Sequence, residues 1–134
     1  MKNEVRLLKA LADENRLRLL MLLRRRELFV CQLMAVTGLS QPLVSRGLSR
    51  LEREGLVESR RQGKHVFYRL SAAMPALGRA VLDALALPRP EERFASDRSA
   101  LELFARRFEK GRGCDMGMVK DFIAFRNKNQ KQGA

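Results

Sequence analysis

The chain is 134 residues long, with 27 Lys and Arg against 15 Asp and Glu and a formal net charge of +12. That length suits one small domain, and 46% hydrophobic residues suffice for a core; with 6% aromatics and no Trp, that core must be mostly Leu, Val, Ala and Met. No apolar run approaches the ~20 residues that cross a bilayer, so a membrane-spanning role is excluded and a polyanionic partner, nucleic acid first, fits the charge.

The excess charge is uneven. Residues 1–70 hold 15 basic and 7 acidic side chains, whereas residues 71–134 hold 12 and 8. The N-terminus is charged and amphipathic, without the continuous apolar stretch of a secretion leader. Only two cysteines occur, Cys31 and Cys114. Together these predict a cytoplasmic protein with reduced thiols.

In chain order, Val5, Leu8, Leu11 and Ala12 recur at helical spacing over residues 3–12, and Leu17, Leu20, Met21 and Leu23 do so over 14–25. Asp13 suits the N-cap of the second helix, and Arg24, Arg25 and Arg26 suit its C-terminus. Glu27 to Val30 reads as a short, extended bridge. Cys31 to Thr37 reads as a short helix ended by Gly38. Ser40 then caps another helix, with Pro42 in its first turn and Leu39 and Val44 placed as a hydrophobic staple; Gly55 stops it after about Glu54. Leu56–Arg60 and His65–Leu70 read as two strands of a hairpin, Val66, Tyr68 and Leu70 alternating with Phe67 and Arg69 around a tip containing Gly63. A helix over 72–87 carries Leu77, Val81, Leu82 and Leu85, and Leu87-Pro88-Arg89-Pro90 breaks it. Asp97 to Lys110 is expected to be helical through Leu101, Phe104 and Phe108, ending at Gly111 and Gly113. A last amphipathic segment from Met116 to about Asn127 uses Val119, Phe122 and Ile123, before a polar, frayed end.

The helix from Ser40 to Glu54 carries the chemistry. Val44, Leu48 and Leu51 form one apolar stripe. The other face presents Gln41, Pro42, Ser45, Arg46, Ser49, Arg50 and Arg53, with no acidic residue from Ser40 to Leu51. An ordinary solvated helix mixes both signs. Short hydroxyls allow close approach to DNA, Gln41 matches adenine and Arg46 matches guanine in the major groove, and Arg50 and Arg53 are placed for phosphates, which give register rather than sequence choice. Beside it, Arg60, Arg61, Lys64 and His65 in the hairpin suit phosphates or the minor groove; the blander alternative is a basic hairpin that protects its edge from aggregation. Helix, turn, helix and wing thus predict a mostly α fold with a small β-hairpin, a winged helix-turn-helix that holds double-stranded DNA.

The stretches LKALADENRLRLLMLL (residues 8–23), ELFVCQL (27–33) and LSQPLVSRGLSRLEREGLVESRRQGKHVFYRL (39–70) resemble ArsR/SmtB-type winged-helix repressors. The resemblance implies a homodimer built through the first helix and the helix after the wing. It implies a near-palindromic DNA operator, and release when an inducer, often a metal ion or metalloid, binds. It divides the chain into a DNA-binding and dimerisation domain over 1–87 and a C-terminal helical extension with a polar tail over 88–134. Departures are specific. Family members that bind metal at the ELFVCQL segment have two cysteines around the valine and an Asp after the second; here Phe29, Cys31 and Gln32 stand in those places. The family's other site uses His and acidic pairs on the helix after the wing, and the only histidine here is His65. Arg46 and Gly47 replace histidines common in the family; Gly47 costs helix stability, roughly 1 kcal/mol against Ala.

Neither familiar metal site is therefore intact, and no cofactor is certain. Cys31 and Cys114 remain as a candidate sensing pair for arsenite, antimonite or another thiol-binding inducer, or for a disulfide or polysulfide bridge, provided that the sulfurs meet in space. The alternative is Cys31 as a small core residue and Cys114 as an idle thiol, in a regulator that answers to a small molecule or a protein partner. Met116 and Met118 beside Cys114 suit either packing or a soft metal such as Cu(I). Tetrahedral zinc lacks ligands. An enzyme is not expected: no base accompanies the cysteines, and neither a phosphate loop nor paired carboxylates appear. An adaptor that uses the winged helix to bind protein would lack the steep salt dependence of DNA binding.

Overall fold

The computed structural model of the chain describes residues 1–87, 93–107 and 116–132. In order, the elements are α1 (Lys2–Leu11), α2 (Glu14–Leu23), β1 (Leu28–Phe29), α3 (Val30–Thr37), α4 (Gln41–Arg53), β2 (Val57–Gln62), β3 (His65–Leu70), α5 (Ala76–Leu85), α6 (Arg93–Arg107) and α7 (Met116–Gln132). The caps obey local chemistry. Asp13 accepts a hydrogen bond from the Arg16 amide at 2.9 Å, and Ser40 accepts one from the Leu43 amide at 3.4 Å. At the start of α3 the Gln32 carboxamide oxygen accepts from the Phe29 amide at 3.1 Å, which satisfies a donor that the helix leaves over. Gly38 ends α3 at φ 76°, in the left-handed region that favours glycine.

The three strands are antiparallel in the order β1–β3–β2. Leu28 and Phe29 lie opposite Tyr68 and Phe67, and Val57 to Gln62 run opposite Leu70 to His65. The helices bury one continuous core. Leu19, Leu20 and Leu22 of α2, Leu33 and Val36 of α3, and Val44, Leu48 and Leu51 of α4 are all at or near zero exposure, so the predicted apolar stripe of α4 is the face that it buries. Ala100, Leu101 and Phe104 of α6 and Met118, Val119 and Phe122 of α7 belong to the same core; Phe104 and Phe122 meet edge to face, with centroids 5.1 Å apart.

Several expectations change. The last segment does not fray at Asn127: α7 continues to Gln132, because its burial on the core through Phe122 and Arg126 supports the turns beyond them. Helix α6 starts at Arg93, not Asp97. Strand β3 does not alternate cleanly; Val66, Phe67, Tyr68 and Leu70 are all half-buried, because Phe67 meets Phe29 and Arg60 on one face while Tyr68 and Leu70 pack against the core on the other. Strand β3 has the expected bounds, whereas β2 runs from Val57 to Gln62 rather than from Leu56 to Arg60, leaving only Gly63 and Lys64 as the turn between Gln62 and His65, with Gly63 at φ 62° as the first position of a type II′ turn requires. Gly47 is more than a tolerated helix weakness. A Cβ there would lie 3.1 Å from Leu19 Cδ1, so the missing side chain lets α4 sit close on α2. The Pro88–Pro90 break, Phe108, Gly111, Gly113 and Cys114 lie outside the described residues.

Candidate nucleic-acid interface

With Val44, Leu48 and Leu51 turned inward, helical geometry must turn the opposite face of α4 outward. Ser40, Gln41, Pro42, Arg46, Ser49 and Arg53 are exposed, and Ser45 and Arg50 are half-buried. The Arg50 Nε is buried without a hydrogen-bond partner among the described residues. Among those residues Arg46 and Arg53 have no acidic partner. The acidic end of the helix is turned elsewhere: Glu52 accepts a 2.7 Å hydrogen bond from the Ser59 hydroxyl of β2. Burial, together with the charge of Glu52, pushes the Tyr68 hydroxyl above its ordinary pKa.

The four wing residues separate into two kinds. Arg61 and Lys64 are exposed and, among the described residues, unpaired. Arg60 and His65 are engaged. Arg60 stands over the Phe67 ring at 4.7 Å and clasps both carboxylate oxygens of Glu27, its Nε lying 3.0 Å from each; it also donates to the Gln62 side chain at 2.6 Å. The bond to Arg60 holds the Glu27 carboxyl below the usual carboxylate range and raises the Arg60 guanidinium. His65 stacks on Phe29 with centroids 4.4 Å apart. Arg60 therefore sits in β2 and ties it across β3 to the residue before β1, rather than forming part of a free basic tip. Sequence reasoning grouped it with its neighbours because the partner lies 33 residues away; an acidic residue just before a predicted strand was the available clue.

Cys31 is half-buried. It lines a cavity of about 380 Å³ together with Met34, Gln41, Lys64, His65 and Met116, which brings the first residues of α3, α4 and α7 to the wing turn. Cys114, the other half of the expected sensing pair, lies outside the described residues. No group of three or more His, Cys, Asp or Glu side chains suited to a metal ion exists among the described residues. Gln32, where the family's metal-binding version has Asp, is 5% exposed and caps α3.

A helix-turn-helix whose second helix presents an acid-free polar face beside a basic two-stranded wing is a winged helix-turn-helix DNA-binding module. The comparisons agree. Residues 13–59 match the model of the family described as bacterial regulatory protein, arsR family. The arsenical resistance operon repressor of Escherichia coli K12 is 45% identical over 80 residues, which are 59% of this chain and 68% of that protein. Among solved structures, reduced HlyU from Vibrio cholerae superposes with a TM-score of 0.56 at 39% identity over 63% of this chain and 85% of the other. A homodimeric winged helix-turn-helix domain from Mycobacterium bovis gives 0.55 at 33% identity over 63% and 79%. The chain belongs to the arsR family of bacterial transcriptional regulators; it is a regulator by descent, not an enzyme. No helix among the described residues is long and apolar enough to cross a membrane.

Proposed function

We propose that the chain is a homodimeric, sequence-specific repressor that reads an operator with α4 and is released by a thiol-reactive inducer. The observation that carries the reading half is the outward face of α4, free of acidic residues from Ser40 to Leu51 and set beside Arg61 and Lys64, which are unpaired among the described residues. Gln41 and Arg46 read base edges; Pro42 and the hydroxyls of Ser40, Ser45 and Ser49 allow close approach. Arg50, Arg53, Arg61 and Lys64 meet phosphates. Arg60 holds the wing in shape, and His65 packs beneath its turn. A second copy fits the apolar side chains that α1 leaves in solvent, Val5 at 42% and Leu8 at 46% exposure, and the M. bovis relative is described as homodimeric.

The test of the reading half is direct. A duplex is selected from a random library by the wild-type protein, and Arg46→Ala and Lys64→Ala are titrated against it. Both are expected to bind more weakly. Unchanged binding in both would remove the assignment.

For release, Cys31 is the described thiol, and its cavity adjoins Gln41 and Lys64. A ligand held there competes with DNA for the same side chains. Arsenite condenses with a thiol to give an As–S bond and water, and Met116, which lines the cavity, stands two residues after Cys114 in sequence. The second reading, control by a small molecule without thiol chemistry, is supported by the apolar part of that lining, Val30, Met34 and Val66. Derepression by arsenite, polysulfide and oxidant in Cys31→Ser and Cys114→Ser separates the two. Loss of induction in either variant supports thiol sensing, and full induction in both leaves the second reading.

A further inference from the structure

Among the described residues, three charged side chains are buried. Arg18 of α2, Asp97 of α6 and Arg126 of α7 are 4%, 1% and 7% exposed. Arg18 grips Asp97 with two bonds, Nε to Oδ2 at 2.8 Å and Nη2 to Oδ1 at 2.9 Å. Arg126 Nη2 lies 3.5 Å from the same Oδ1 and 3.2 Å from the Ser96 hydroxyl. Both guanidinium groups also donate to the main chain at one place: Arg18 to the Thr37 carbonyl at 2.8 Å and Arg126 to the Val36 carbonyl.

Those two carbonyls are the last of α3. The final carbonyls of a helix have no partner within it, and the negative end of the helix dipole attracts cations. Two guanidinium groups supply both. Alone they would be like charges in a dry interior, and Asp97 between them offsets that repulsion. Immediately beyond the carbonyls lies the turn: Gly38, Leu39 and Ser40 lead directly into Gln41 at the head of α4. Further bonds stiffen the link: the Gly38 amide to the Met34 carbonyl at 2.9 Å, the Leu39 amide to the Thr37 hydroxyl at 3.2 Å, and that hydroxyl to the Leu33 carbonyl at 2.6 Å. Any shift of the last turn of α3 therefore reaches α4 through three residues.

We propose that Asp97 is a positioning residue for DNA reading. By holding Arg18 and Arg126 on the Val36 and Thr37 carbonyls, it makes the C-terminal helices α6 and α7 part of the helix-turn-helix rather than an appendage to it. This rests on α4 being the DNA reader. The residue touches no DNA itself; it sets the angle at which Gln41 and Arg46 enter the groove.

The experiment uses the full chain and the duplex that the wild-type protein selects from a random library, with an unrelated duplex of equal length as the non-specific probe. Asp97→Asn is expected to lose at least tenfold in affinity for the selected duplex while non-specific affinity stays within twofold. Its salt slope should not change, because the number of cations meeting phosphates is the same. Exchange of the Gly38, Leu39 and Ser40 amides should quicken. A merely structural role would lower both affinities together, in step with the fraction unfolded. Arg25→Ala, which severs the exposed pair at 3.7 Å between Arg25, just after α2, and Glu102 of α6, is the control and should match wild type. Should Asp97→Asn fail to fold, Arg126→Lys decides: it keeps the charge beside Asp97 but lacks the fork that spans Asp97 and the Val36 carbonyl together. A wild-type ratio of specific to non-specific affinity in a folded variant overturns the proposal. If the wild-type protein selects no duplex, the DNA-reading assignment falls first and this inference with it.

Discussion

Arginine serves opposite ends in two regions of this molecule. On α4 and the wing, Arg46 and Arg61 are exposed and, among the described residues, unpaired, as is Lys64. At the junction of α2, α6 and α7, Arg18 and Arg126 are buried, each bound to Asp97 and to a main-chain carbonyl. The net charge of +12 counts all of them alike. Only position distinguishes a cation kept for a partner from one that holds the chain together, and the two should fail differently when removed.

The largest effect should come from the buried set. Arg18→Ala leaves Asp97 with the Arg126 guanidinium at 3.5 Å and removes the Arg18 donor from the Thr37 carbonyl, so stability should fall by about 3–5 kcal/mol in urea unfolding. A loss below about 1 kcal/mol would put Arg18 in the class of surface cations. Arg46→Ala is the mirror case. Stability should stay within about 0.5 kcal/mol, while discrimination between the selected duplex and one mismatched at the base it reads should fall by about 1–3 kcal/mol. Between the two lies Gly47→Ala. Better helix propensity favours it by about 1 kcal/mol, but the new methyl must push Leu19 aside at about 1–3 kcal/mol; a net loss near 1 kcal/mol is expected, and a gain would mean that α4 is loosely seated on α2. Lys64→Ala should reduce the salt slope of DNA binding by about one unit without altering sequence choice.

The smallest effect concerns pH. Glu27 has a lowered pKa, chiefly through its bond to Arg60. Its contribution is complete above the ordinary value of 4.5 and is lost as pH falls through the lowered folded value. Tyr68, the only tyrosine in a chain without Trp, lies on β3 between the strands that Arg60 and Glu27 join. Its fluorescence in an acid titration should report wing loosening in wild type at a pH where Glu27→Gln is already loosened.

Much of the reading region was legible because its signals are local. Asp13, Ser40, Gly38 and the Val44–Leu48–Leu51 stripe each announce an element from within a few residues. The ties of Arg60 to Glu27 and Phe67 could not be read, because neither is a sequence neighbour. The junction of Arg18, Asp97 and Arg126 was invisible for the same reason: Arg18 and Asp97 are 79 residues apart, and no periodicity links an arginine on one helix to a carboxylate that far away. Gly47 was legible as a helix cost but not as a contact, since the side chain that it makes room for belongs to α2.

The arginines at the junction grip carbonyl oxygens, and every residue type has one. Substitutions on the outward side of α4 leave those atoms in place, so the binding preference of such a protein can drift during evolution while the contacts that hold the turn stay constant. New operator specificities can thus be explored by exchanging Gln41, Ser45 or Arg46 alone, without redesigning the two helices that hold the turn.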